Sequence, residues 1–212
     1  MSATRPFKAS TPTEDVARLF IALSLDDAIR NQVSTCQEQL KPLLPGVRWV
    51  ATDAMHLTLV FLGEQSRDHV PELAELVTAS AENIPPFQWS LGPLGSFGRP
   101  RQPSVIWIGL REEPVALMDL QNRLQIAFQT SGYAIETRPF HPHITLGRAR
   151  RSQRDKGRPR LDADSLTAAM RSVSVTSGGP SRIAHVHLIE SRLSPAGAQY
   201  EVLHTAPLKG EV

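Results

Sequence analysis

Apolar and polar positions alternate with two periods along the chain. Runs of strand type occur at Arg18 to Leu23 and Ser104 to Leu110, with a short one at Arg48-Trp49-Val50. Helical spacing follows over Asp26 to Leu44, Val70 to Ala81 and Glu113 to Ser131. Ser24 stands where an N-cap for the first helix is expected, with Asp26 and Asp27 in the first turn. Pro45-Gly46 and Gly132 supply helix stops. Pro85 to Pro103 is dense in Pro and Gly and reads as a strand, Phe87 to Leu91, followed by a long loop. Beyond it, Asp162 to Arg171 is weakly helical. Ser172 to Thr176, Ile183 to Ile189 and Gln199 to His204 read as strands, the last two joined by a hairpin at Ser194-Pro195-Ala196-Gly197.

One strand-like word occurs twice. His56-Leu57-Thr58-Leu59 and His143-Ile144-Thr145-Leu146 share the pattern His, aliphatic, Thr, aliphatic. On a strand this sends His and Thr to one face and the aliphatic residues to the other. The two histidines are 87 positions apart, and so are Phe20 and Trp107 in the preceding strand-like runs. A duplicated strand–helix–strand unit is expected, with His56 and His143 facing each other across a cleft. Pro142 cannot donate to a ladder, so the second word begins a strand there or lies at an edge.

Composition narrows the picture. The 212 residues suit one domain or two small lobes sharing a core, and 41% hydrophobic content is sufficient for a globular protein. Residues 1–15, rich in Ser, Thr and Pro, read as a disordered leader, leaving 16–212 as the single folded domain. No apolar run reaches membrane-spanning length and the N-terminus has no signal-peptide core, so cytoplasmic residence without a membrane partner is expected. A lone Cys36 excludes an internal disulfide framework and reads as a small buried residue. The net charge is only +2, but Arg148 to Arg160 concentrates seven cations against one Asp, a segment suited to a phosphate backbone or to a solvated loop.

The paired words carry chemistry. Imidazole titrates near neutrality, so one ring takes a proton while its mate gives one. Thr58 and Thr145 offer hydroxyl donors to non-bridging phosphate oxygens, and Arg148 offers charge for a developing dianion. Such a set needs no cofactor and no metal. The His141-Pro142-His143 and His185-Val186-His187 pairs are of a kind that binds metals, but no Cys or suitably spaced acid accompanies them. Phe97, in Gly95-Ser96-Phe97-Gly98-Arg99, is a candidate for stacking on a base.

These residues resemble a family. Arg18 to Leu23, Arg48-Trp49-Val50, His56 to Leu59 with Phe61-Leu62-Gly63-Glu64, Arg138 to Arg148, Leu188 to Ser191 and Gly197 to Tyr200 are similar to the RNA 2′,3′-cyclic phosphodiesterases. These are also called 2′-5′ RNA ligases and belong to the two-histidine phosphoesterase superfamily. The resemblance implies a bilobal, duplicated α+β fold, with two antiparallel sheets facing a central cleft and helices outside. It implies hydrolysis of RNA ending in a 2′,3′-cyclic phosphate to a 2′-phosphate, with His56 as proton donor and His143 as proton acceptor. RNA with such an end is the expected partner, and no obligate protein partner is evident. The alternatives are 2′-5′ ligation or RNA-end binding with little hydrolysis, and a metal-dependent enzyme built on the His-x-His pairs.

Overall fold

The computed structural model describes residues 15–136, 138–149, 161–175, 179–194 and 197–210. Its elements run β1 (Val16–Ser24), α1 (Asp27–Leu40), β2 (Val47–Trp49), β3 (His56–Ser66), α2 (Val70–Ala81), β4 (Phe87–Trp89), β5 (Leu91–Arg99) and β6 (Gln102–Leu110). They continue with α3 (Val115–Thr130), β7 (His143–Ala149), α4 (Ala163–Ser172), β8 (Ser181–Ile183), β9 (His185–Ser194) and β10 (Gly197–Pro207). The mixed helix and antiparallel-strand architecture is that expected. Among the described residues no helix is long and apolar enough to cross a membrane.

Among the described residues eight strands form one sheet, seven of them along the path β10-β9-β1-β3-β7-β6-β5 and the eighth, β2, paired with β7; β4 and β8 pair separately. Two distinct sheets were expected. The difference lies at one place, where β3 and β7 meet through the single antiparallel pair Leu57 and Ile144. On one side of that pair stand β3, β1, β9 and β10. On the other stand β7, β6 and β5.

The pairing registers on the two sides are alike, though not at the offset expected for the neighbouring strands. β1 pairs antiparallel with β3 as β6 does with β7, and the two words match at an offset of 87. The partner strands, however, match at 85: Ser24 lies opposite His56 and Gly109 opposite His143, Ala22 opposite Thr58 and Trp107 opposite Thr145. Trp107 therefore corresponds to Ala22, and Phe20 to Val105. The chain between strand and word is two residues longer in the second half.

The helices cover the apolar face. Leu57, Leu59, Ile144 and Leu146 are buried with Leu19, Ile21, Leu23, Ile106 and Ile108 from the neighbouring strands. Each such side chain contributes about 1.5–3 kcal/mol by leaving water. Phe128, Leu124, Leu120 and Leu117 project from α3 into this core at helical spacing, as do Leu73 and Val77 from α2 and Ile29, Val33, Cys36 and Leu40 from α1. Burial pushes the Cys36 thiol up to about 11, which keeps it protonated.

Other expectations need correction. Asp26, not Ser24, caps α1: its Oδ1 accepts the Ile29 N–H at 2.8 Å, while Ser24 is still held in the β1 ladder. The segment read as a long loop forms β5, hairpinned to β6. Its Gly and Pro residues are compatible with a strand because β5 is at the sheet edge and bulged between Leu91 and Leu94. Gly95 is required there, since a Cβ would lie 2.2 Å from the Trp107 indole. Val173 to Val175 are not a strand; α4 extends through Ser172 instead. Residues 150–160, most of the basic run, and residues 1–14 lie outside the described residues.

Candidate active site

The two words project their polar sides from β3 and β7, half-buried at His56, Thr58, His143 and Thr145. Because Leu57 opposes Ile144 antiparallel, the Thr145 end of one word runs beside the His56 end of the other. Each imidazole is fixed in the same way. His56 Nδ1 lies 3.0 Å from the Ala54 carbonyl and His143 Nδ1 lies 2.7 Å from the His141 carbonyl. A carbonyl only accepts, so Nδ1 carries the proton in both rings and Nε2 is left for proton transfer.

Both rings resist charging. Burial is the main cause, and it lowers His56 to about 4. His143 is shifted down for the same reason. The Ala54 and His141 carbonyls act in the opposite sense, while the Arg148 charge depresses both rings further and His143 depresses His56. The two imidazoles and Arg148 thus share one electrostatic environment.

Arg148 reaches this face through a bulge. Ile106 opposes Gly147 and Trp107 opposes Thr145, which leaves Leu146 as the extra residue. Strict alternation would have sent Arg148 to the apolar side; the bulge returns it to the His and Thr face, where it is exposed. The first half has the same device, with Leu59 extra between Val60 and Thr58 and Phe61 emerging where Arg148 does in the second. The Leu146 carbonyl accepts the Val50 N–H at 2.9 Å, just beyond the β2–β7 pairing, and the Gln37 Nε2 at 3.0 Å. Gln37 also donates to the Val50 carbonyl at 2.7 Å. Sequence reading missed Gln37, although a polar residue on the apolar side of a helix was a visible signal.

Aromatic rings surround each histidine. Phe20 stacks on His56 with ring centroids 4.7 Å apart, and Tyr200 meets it edge-on at 5.0 Å. Phe97 meets His143 edge-on at 4.8 Å, and Trp107 lies 6.2 Å away. Phe97 is thus a strand residue beside the second imidazole rather than a loop residue. His141 packs against Trp107 and Phe97, and His187 Nδ1 lies 3.0 Å from Thr205 Oγ1. Among the described residues no three His, Cys, Asp or Glu side chains group as a metal site. A separate concavity between β5 and α4, lined by Leu94, Arg111 and Met170, contains no acid–base pair.

The chain matches the family description 2′-5′ RNA ligase superfamily over residues 25–189. It is 33% identical to the RNA 2′,3′-cyclic phosphodiesterase of Methanothermobacter thermautotrophicus over 86% of this chain and 94% of that one. Identity to the protein of the same name from Thermotoga maritima is 30%, over 91% and 96%. The crystal structure of Escherichia coli LigT complexed with 3′-AMP superposes with a TM-score of 0.71 at 30% identity, covering 92% of this chain and 99% of LigT. On the match of its family pattern and of its fold, this chain belongs to the 2′-5′ RNA ligase superfamily.

Proposed function

We propose that this protein hydrolyses the 2′,3′-cyclic phosphate at the end of an RNA chain, leaving a 2′-phosphate, by acid–base catalysis between His56 and His143. The observation that carries this reading is the matched pair of imidazoles, each anchored through Nδ1 to a carbonyl two residues earlier and each presenting Nε2. The relatives named as RNA 2′,3′-cyclic phosphodiesterases support the substrate class.

The phosphorus sits in a cleft between the two words. His143 takes a proton from water, which attacks in line, and His56 protonates O3′ as the P–O3′ bond breaks. Thr58 and Thr145 donate to the non-bridging oxygens, and Arg148 stabilises the charge that develops on them. The depressed His56 suits the donor role, because a ring that holds its proton weakly releases it readily once the anionic substrate has charged it. A 5′-hydroxyl in place of water, deprotonated by His143, attacks through the same steps, and expulsion of O3′ leaves a 2′-5′ joint.

The test is digestion, in excess EDTA, of a short RNA with a 2′,3′-cyclic phosphate end. The product should resist a phosphatase specific for 3′-phosphates. A sensitive product would mean that the ribose sits the other way round and the two histidines exchange roles. No product would remove the reading.

A further inference from the structure

β2 is only three residues long, yet it is secured on several sides. Val47, Arg48 and Trp49 pair antiparallel with Ala149, Arg148 and Gly147 of β7. Val47 is buried, Trp49 is half-buried against the core, and Arg48 is exposed. Gly147 lets the two strands seat, since a Cβ there would lie 2.5 Å from Val47 Cγ1 and 3.1 Å from the Trp49 ring. Just beyond the pairing, Gln37 donates to the Val50 and Leu146 carbonyls and ties both strands to α1. Val47 and Trp49 thus take the core side of β2. Arg48 points the other way, to the face that carries Arg148 and the His and Thr side chains.

Two guanidinium side chains therefore stand directly opposite each other on neighbouring strands. The Cβ atoms of such partners are about 4.5–5.5 Å apart, and like charges so placed destabilise the pair. No carboxylate among the described residues forms an ion pair with either arginine. Of the two, Arg148 depresses His56 and His143 by its charge, whereas Arg48 is not among the groups that do so. Arg48 is thus the outer member of the pair. Two unrelieved guanidiniums beside a phosphate site are matched by two anions, not by one.

We propose that Arg48 binds the phosphodiester immediately 5′ to the terminal nucleotide, beside the terminal phosphate that Arg148 holds, so that the protein selects RNA chains over single nucleosides carrying a cyclic phosphate. The inference rests on the reading of the site as a cyclic-phosphate phosphodiesterase. Successive phosphates on one strand are a single nucleotide apart, and two long side chains on neighbouring strands span that step without any backbone movement. Each guanidinium presents a planar fork of donors to one phosphate, and each bound anion relieves the repulsion between the two arginines. Arg48 touches a phosphate that does not react, so its part is specificity, not chemistry. A phosphate contact of this kind carries no base preference.

The experiment is a binding cycle read by calorimetric titration. One ligand is a diribonucleotide ending in a 2′-phosphate, and the other is the same molecule with an uncharged methylphosphonate linkage. For the intact protein, loss of the linkage charge should weaken binding about tenfold. Arg48→Gln should bind the charged ligand about tenfold more weakly than the intact protein does, and should no longer distinguish the two ligands. For the charged ligand, the slope of log affinity against log salt should fall by about 0.7 in Arg48→Gln, the share of one phosphate on a single strand, and should persist in Arg48→Lys. Relief of the repulsion should leave Arg48→Gln at least as stable as the intact protein, which separates lost binding from lost folding. An equal cost of the methylphosphonate linkage in both proteins would overturn the proposal. So would indifference of the intact protein to the linkage, or failure of both ligands to bind it. Hydrolysis of a cyclic-phosphate RNA is assayed separately; its absence would remove the proposed reaction, while the cycle still decides what holds the second phosphate.

Discussion

Leu57 and Ile144 occupy the same position in the two copies of one strand word and are each other's backbone partners. One antiparallel pair thereby joins β3 to β7 and brings the two half-buried histidines into one electrostatic environment. The aliphatic residues of the words anchor the strands in the core while the polar residues remain available. Replacing His56 or His143 by Ala should therefore abolish nearly all hydrolysis of a cyclic-phosphate RNA while thermal unfolding changes little. Thr58→Ala and Thr145→Ala should each cost less, on the order of ~1.5–3 kcal/mol of transition-state stabilisation in kcat/KM. Full activity in either histidine variant would refute the assignment.

The pH profile should separate free from bound protein. Burial holds His56 near 4 and His143 below its ordinary value, so both rings are neutral at neutral pH before substrate arrives. The donor must nevertheless be charged. An anionic phosphate favours the imidazolium and raises its pKa. The kcat/KM profile, which reports the free protein, should peak at lower pH than the kcat profile, and both should be bell-shaped. Coincident optima would show that the substrate does not supply the charge that the donor needs.

Gln37 should matter more than its helical position suggests. It is buried on α1 and its amide donates to the Val50 and Leu146 carbonyls, and Leu146 is the extra residue of the β7 bulge. Gln37→Leu keeps the volume and removes both bonds, so destabilisation of ~1–3 kcal/mol is expected from denaturant unfolding. The same bulge sets the face of Arg148, so kcat/KM should fall as well. An equally stable and active variant would show that the Val50 N–H alone satisfies the Leu146 carbonyl.

The words were legible because strand alternation writes both the buried and the reactive face into four residues. The offset of 87 correctly matched β3 with β7, yet it aligned Phe20 with Trp107 by coincidence. Register matches Ala22 to Trp107, because two extra residues precede His143 and no local pattern reveals them. β5 was hidden for a different reason. Its Gly and Pro residues are turn formers by propensity, and they are accommodated in a strand by its edge position, its bulge and the Trp107 ring lying over Gly95, all of them tertiary features. Arg148 was expected beside the phosphate for its charge alone; strict alternation does not bring it to the histidine face, and the Leu146 bulge that does has no signature in the residue pattern.

Glu190 on β9 is tied to the chain just beyond β3. Its buried carboxylate accepts from Arg67 at 2.6 and 3.1 Å and from Arg192 at 3.1 Å, and Arg67 reaches on to Asp15 at 3.0 Å. These hydrogen bonds hold its carboxyl below the usual range. A group depressed on folding contributes stability above its unfolded pKa and loses it as pH falls through the folded one. Glu190→Gln should therefore lower the unfolding midpoint at neutral pH and flatten its decline in acid. An unchanged acid limb would mean that the pair contributes nothing, as many partly solvated pairs do.

Arg148 gives the sharpest test of how the site is charged, because one substitution has two opposite signatures. In the free protein its guanidinium depresses both His56 and His143, so Arg148→Gln should raise the pKa of both rings, read by proton NMR without substrate. Rings that charge more easily would by themselves move the kcat/KM optimum toward higher pH. The substitution also removes a cation from the phosphate, and the maximum rate at the new optimum should drop about tenfold to a hundredfold. Pairing it with Phe61→Arg, which places a guanidinium at the repeat-equivalent position, asks whether charge from either half suffices. If Arg148 acts on a phosphate seated in its own half, the double variant should depress His56 again yet recover little rate. Full recovery of the rate would show that the phosphate answers to overall charge around the two histidines, with no assigned side.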